Sequence, residues 1–461
     1  MQIPGGGIEP PEVARDRSWP RALRPFQFGQ YRILILALTL SMLGGGMWVI
    51  AVFWQLAEIG ASEYDYALIL TVGTVGMLTF ALLGGAVADR VSRRLILLLC
   101  EGIKGTVGVA LAVLSFTDSL QLWHLVVAGL ALNVSDAFFY PAYTAILPSL
   151  LPPQQLLAAN GVEGILRPAL TTAVGPAAAA ALVAWHSPAM SILVLAAAQV
   201  MAAFCLSLMR PIPLERDLTH AQDRHAVINA LVDIRDGFRF LFKTRWLLWT
   251  LLFACLMTIF VMGPIEVLLP FRIKDGLGGD AGDHALVLTV FGAGGVTGAL
   301  VTSSRRFPKR YLTLMILLWG AGCLPLAVFG FMDQLWLVTV GAFIVGYAFQ
   351  AATVIWGTLL QRRVPSDMLG RVSSLDFFVS LAFMPVSMAL AVPVMHLLGL
   401  QLTFLIAGTA PLVLAFVALI AGRLPADERA HPLDETCLTA PIDAVGSGDS
   451  VDSTLSDGAP Q

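Results

Sequence analysis

The stretch GGAVADRVSRRL, residues 84–95, places one aspartate and three arginines between two apolar runs. A helix needs about 20 apolar residues to cross the roughly 30 Å of hydrocarbon in a bilayer, and both runs meet that length. The charges therefore mark a turn at a membrane surface. A blurred copy, GALVTSSRRFPKR (298–310), returns about 215 residues later at the end of another apolar run.

The same alternation governs the whole chain. Its 461 residues are 57% hydrophobic and 13% charged, with a mean hydropathy of +0.79, where a soluble domain carries roughly a quarter charged residues. About twelve apolar segments follow one another: 31–57, 65–88, 95–116, 121–141, 156–184 and 188–209, then 246–271, 284–303, 311–331, 335–360, 372–397 and 401–422. They are continuously apolar, so they read as helices rather than the alternating strands of a barrel. The expected fold is an all-α integral membrane protein with twelve transmembrane helices in two pseudo-symmetric six-helix bundles, 31–209 and 246–422. Residues 1–30 are expected to form a polar N-terminal tail, and 423–461 an acidic, disordered one. Between the bundles, 210–245 carries Val227, Leu231, Ile234, Phe238 and Leu241 at helical spacing, which suits a helix lying on the membrane surface.

Net charge is −3, but its placement is one-sided. Arg15, Arg17, Arg21, Arg24 and Arg32 precede the first span, seven basic residues lie from Arg210 to Arg245, and Arg305, Lys309, Arg310, Arg362, Arg363 and Arg371 fall in loops on the same side. The positive-inside rule then puts both termini in the cytoplasm of a bacterial inner membrane. The first span is too long for a signal-peptide core and is expected to stay as an anchor. Cys100, Cys205, Cys255 and Cys323 lie within spans and Cys437 in the tail, without metal-site spacing, and read as packing residues.

A second echo supports the repeat: LLPPQQLLAANG (150–161) and RRVPSDMLGRVS (362–373) both join the fourth and fifth spans of their halves. Parallel six-helix repeats are a transporter architecture with the substrate cavity between them. The opening stretch resembles the signature between spans two and three of the major facilitator superfamily. NVSDAFFYPAYTAILPSLLPPQQLLAANG (133–161), IRDGFRF (234–240) and TLLQRRVPSDMLGRVSS (358–374) resemble its drug and siderophore exporter branch, which includes macrolide and enterobactin exporters. That resemblance implies a latch in which Asp89, with Gly85, Arg90, Arg93 and Arg94, holds the cytoplasmic side shut in the outward-facing state. Asp89 would face the positive end of the helix dipole near Gly370 and Arg371. Ser304 replaces the acid in the second copy, which is expected to latch weakly.

Charged residues deep in spans are functional candidates. Glu101 and Lys104 are three apart, Glu163 and Arg167 four apart, and Asp136 stands alone on the fourth span. Each spacing puts a pair on one helix face. Three acids against two bases leave one carboxylate able to take up and release a proton, with Asp136 or Glu163 preferred as carrier. Glu266 and Asp376 are secondary proton-coupling candidates. The first span reads SMLGGGMWV (41–49), without the aspartate that many exporters of the branch carry there. TTAVGPAAAA (171–180) makes Gly175 and Pro176 candidate hinge residues.

Trp48, Phe138, Tyr140, Phe260, Gln350 and Trp356 are candidates to line a cavity for a bulky amphipathic substrate, alongside a lipid-facing or packing alternative for each. There is no nucleophile motif, metal-ligand set or phosphate-binding loop, so the expected energy source is a proton gradient with no cofactor or nucleic-acid partner. The reading is a monomeric, proton-coupled exporter. A lysophospholipid translocator is the alternative within transport, and a membrane-embedded sensor or enzyme the alternative outside it.

Overall fold

The computed structural model describes residues 21–88, 91–210, 239–305, 307–365, 372, 375, 376, 378, 380 and 382–433. A 3-10 turn, Arg21–Gln27, leads into α1 (Gly29–Glu58), α2 (Glu63–Ala88), α3 (Arg93–Phe116) and α4 (Leu122–Leu150). Helix α5 runs through Pro153–Pro168, a π-helical stretch Ala169–Val174 and Gly175–Trp185, and α6 is Pro188–Ser207. In the second half α7 is Arg245–Gly276, α8 Ala281–Ser303, α9 Tyr311–Phe329 and α10 Leu335–Arg363. Helix α11 includes Met384–Leu398, α12 is Leu400–Ala421, and a short α13, Leu424–Ala430, closes the described chain. Among the described residues eleven helices are long and apolar enough to cross a membrane, and Met384–Leu398 is a shorter apolar one.

The two halves are packed alike. In the first, α2 lies on α4, α6 on α1 and α3, and α5 on α1; in the second, α8 lies on α10, α12 on α7 and α9, and α11 on α7. Close backbone approach fixes matching contacts. A Cβ on Gly46 of α1 would come within 2.4 Å of the Leu170 carbonyl on α5, and one on Gly263 of α7 within 2.3 Å of the Ser387 carbonyl on α11. Small residues permit such approach where lipid gives no hydrophobic drive for helix association. A further repeat appears where α4 and α10 begin: in each Gln-Leu-Trp triplet the indole N–H donates to the Gln side chain, Trp123 to Gln121 at 3.0 Å and Trp336 to Gln334 at 2.7 Å. Both indoles are exposed, as suits amphipathic rings at a membrane interface.

The halves meet through α2 with α11 and α5 with α8. Named contacts across the junction gather at the end opposite the chain termini, here the far end. Phe53 of α1 lies edge-on to Phe271 of α7 (centroids 5.0 Å apart) and to His284 of α8 (5.5 Å), while Tyr66 of α2 lies 5.9 Å from Phe271. Tyr64 stacks on His396 of α11 at 5.3 Å. The core follows suit. Far-end residues of α1 and α2, such as Phe53, Leu56 and Tyr66, share one cluster with the second half, whereas Tyr31, Leu34, Leu97, Tyr143 and Leu206 toward the terminal end form a cluster confined to the first half.

Two boundaries differ from expectation. Helix α4 continues to Leu150, past Pro141 and Pro148, since a proline inside a membrane helix is tolerated when neighbours satisfy the freed carbonyl. The tail expected to be disordered from 423 starts as a docked helix. Leu424 and Glu428 are buried, the Glu428 carboxylate accepts from the Thr313 N–H (3.1 Å) and hydroxyl (2.7 Å), and Asp427 pairs with Arg363. Acids thus satisfy the N-terminal turn of α9 and a buried guanidinium, which composition alone does not reveal. Most of the expected surface helix, 211–238, and the tail from 434 lie outside the described residues; 239–243 is helical, with Leu241 buried against the second half.

Candidate functional site

The site is built on the wall that the first half presents to the second. Helix α4 sits beside α2 and α5, which both reach the other half. Asp136, Tyr140 and Thr144 form an exposed stripe at four-residue spacing along it. An ionised side chain facing lipid is costly, which marks the Asp136 side of α4 as the functional candidate.

Behind this stripe the predicted charges converge. The Lys104 ammonium, 5% exposed, lies 2.5 Å from Asp136 and 3.3 Å from Glu101, so one cation serves two acids on neighbouring helices. Glu101 is fully buried and also accepts from the Ser41 hydroxyl of α1 at 2.7 Å; its second oxygen, Oε2, has no hydrogen-bond partner among the described residues. Asp136 is 51% exposed. On α5, Arg167 pairs with Glu163 at 2.5 Å and covers the Tyr140 ring at 4.2 Å, while the Tyr140 hydroxyl donates to Glu163 at 3.3 Å. The cluster joins α1, α3, α4 and α5, and Gln199 of α6 adds a bond to the Ser41 carbonyl at 3.3 Å. The i,i+3 and i,i+4 pairs were readable from spacing; the bridge from Lys104 to Asp136 and the Ser41 contact were not, since a lone serine in TLSMLGG carries no charge signal.

The second half places its acids apart from this cluster. Asp376 accepts from the Trp356 indole at 3.0 Å and from Ser380 at 3.4 Å. Trp356, expected on the cavity wall, is 8% exposed and packs against Trp246 and Trp319, because its N–H is committed to Asp376. Gln350 is exposed on α10, Trp48 and Phe260 are partly buried at the junction, and Phe138 packs on Phe80 at 6.1 Å. Glu266 lies in a π-helical stretch, Pro264–Leu268, near the far-end junction. The candidate hinge, Gly175 and Pro176, directly follows the π-helical stretch Ala169–Val174, whose N-terminal side is marked by Pro168. A widened turn between two prolines leaves hydrogen bonds that can be rearranged cheaply.

Of the latch residues, Asp89 and Arg90 lie outside the described residues, as do Gly370 and Arg371, and Gly85 lies in the last turn of α2. Arg93 donates to the Ala145 carbonyl of α4 at 2.7 Å, and Arg94 to the Leu206 and Ser207 carbonyls of α6 at 3.1 and 2.6 Å. Arg94 thus caps the C-terminus of α6, and Arg93 ties the start of α3 to α4 within the same half.

Repeated six-helix halves joined at the far end, with a charged cluster inside the first half, are the architecture of a membrane transporter of the major facilitator type. A family model described as a transmembrane secretion effector matches residues 21–444, and the chain belongs to that family. It is 27% identical over 402 residues to the multidrug efflux pump Tap of Mycolicibacterium fortuitum, covering 85% of this chain and 95% of that one. It is 26% identical over 386 residues to macrolide efflux protein A of Streptococcus pyogenes, covering 82% and 92%. Among solved structures, the nucleoside transporter NupG superposes with a TM-score of 0.64 at 14% identity, over 86% of this chain and 98% of that one. The expected superfamily and exporter branch agree with these likenesses, and the relatives are transporters rather than enzymes.

Proposed function

We propose that this chain exports amphipathic small molecules, drugs or siderophore-like compounds, from a bacterial cytoplasm by alternating access, in exchange for protons. The observation that carries the reading is an asymmetry. The far end is closed by rings from both halves, while Asp136, about midway along α4, stays half exposed. The one-sided arginines favour a cytoplasmic terminal end, which makes this arrangement inward-open. In the opposite state Asp89 and the start of α11 close the inner rim, and the Pro168 to Pro176 region of α5 bends against α8. The exposed Tyr140, Gln350 and neighbouring aromatics receive an apolar substrate body, and water-accessible carboxylates exchange the protons. No cofactor is required, and one chain suffices.

The test is flux into proteoliposomes under an imposed pH gradient, with a macrolide, a catecholate siderophore and a lysophospholipid as probes. Gradient-dependent flux of the first or second is expected, and Asp89→Asn should insert normally yet lose most of it. Movement of the lysolipid alone would replace the reading with a lipid translocator.

A further inference from the structure

The far-end seal contains polar groups that nothing nearby satisfies. His284, at the start of α8, is 3% exposed, and its Nδ1 has no hydrogen-bond partner among the described residues. The Trp54 indole N–H beside it on α1 is in the same condition. Glu266 of α7 is partly exposed, with no hydrogen bond or ion pair among the described residues, and Tyr66 of α2 is a neighbouring titratable group. Buried polar groups are nearly always paired, so two such groups, His284 and Trp54, at one junction call for a reason. A junction that opens and closes supplies one, because opening brings such groups to water.

We propose that Glu266 is the proton-binding site that operates this seal, with His284 as a second titratable group inside it. The inference rests on the proton exchange proposed above and assigns it to a residue outside the charge cluster of the first half.

Most charges around the seal are already engaged. On α1, Glu58 accepts from Gln55; in the first turn of α2, Asp65 accepts from Ser62, beside Glu63; on α7, Arg272 pairs with Asp333 and Lys274 with Asp275; at α8, Asp280 and Asp283 bind each other's backbone N–H. On α11, His396 stacks on Tyr64, and α12 brings no charged side chain. Among the described residues no cation is paired with Glu266 and no anion with His284. Charging either group inside the seal therefore costs free energy that opening recovers.

Glu266 can also be reached from within. Ile259, Met262 and Glu266 form a partly exposed stripe at helical spacing on α7, whose other faces pack on α11 and α12. The cycle follows from these placements. A proton taken from outside neutralises Glu266 and lets the far end close; its loss into the cytoplasmic cavity leaves a carboxylate in a ring-lined junction and favours reopening outward. His284 acts in the opposite sense, since a proton on its imidazole favours the open seal.

The experiment measures distances between spin labels at Ile59→Cys and Gln401→Cys, in a chain whose other cysteines are replaced by alanine, from pH 5 to pH 9 in lipid nanodiscs. A single linked proton changes the open-to-closed ratio by up to about tenfold per pH unit. Opening should rise toward alkaline pH in the parent chain. Glu266→Gln should remain closed across that limb, and Glu266→Asp should retain it, which separates loss of the proton from loss of folding. His284→Gln should keep the alkaline limb and lose any opening at acid pH. Retention of the alkaline limb by Glu266→Gln would overturn the inference. If gradient-driven flux in proteoliposomes also persists in that variant, proton exchange stands and its site lies elsewhere; if the parent chain ignores the gradient, both readings fall.

Discussion

The charge cluster of the first half and the lone acids of the second solve the same problem in opposite ways. Glu101, Lys104 and Asp136 share one ammonium across α3 and α4, and Glu163 meets Arg167 within one turn of α5. Asp376 has only neutral donors in Trp356 and Ser380, and Glu266 has none among the described residues. A charge held by an opposite charge ties helices together and resists change of state. A carboxyl that leans on neutral groups, or on nothing, is the one whose protonation is easily reversed.

The variant with the largest expected effect is Lys104→Met, because it leaves Glu101 and Asp136 facing each other with no cation between them. Breaking a buried ion pair from one side costs about 3 to 5 kcal/mol, so melting of the purified protein in detergent should fall steeply. An unchanged melting curve would mean that the cluster does not hold the first half together, and the contrast between the halves would collapse.

Intermediate effects are expected from Gly46→Ala and Gly263→Ala. Each new methyl meets a backbone carbonyl, which cannot move aside as a side chain can. Overpacking at such a contact costs about 1 to 3 kcal/mol, and the two losses should match, since the glycines hold equivalent places on α1 and α7. A large loss from one and none from the other would show that the halves have parted in their packing as well as in their charges. The smallest effect belongs to Gln121→Ala and Gln334→Ala, which remove the partner of an exposed indole. Each should shift stability by no more than about 0.5 kcal/mol, read as melting temperature alongside indole fluorescence.

Much of the fold was legible because hydrophobic length is a one-dimensional property. The apolar runs, the arginine-bearing turns and the repeat after 84–95 can be counted along the chain, and among the described residues eleven of the expected segments coincide with helices long enough to span, while the segment 372–397 overlaps the shorter Met384–Leu398. Pairs on one helix were legible for the same reason, as with Glu101 and Lys104. Contacts between helices were not. The Gln-Leu-Trp repeat is plain in the letters, yet its meaning depends on the indole folding back to Gln121 and Gln334. Trp356 resembles any other aromatic on a span until α11 brings Asp376 to its N–H. The docking of α13 was hidden because an acidic, alanine-containing segment reads as solvated unless Thr313 and Arg363 are known to await it.

From its sequence by itself this protein is a twelve-span, twofold-repeated membrane chain with charge gathered on one side, since transfer into hydrocarbon is decided residue by residue along a helix. Which charges are neutralised, which acids stand alone and which end is shut were decided only by tertiary structure. Those properties depend on distances between side chains from different helices, and the order of residues within any one span does not contain them.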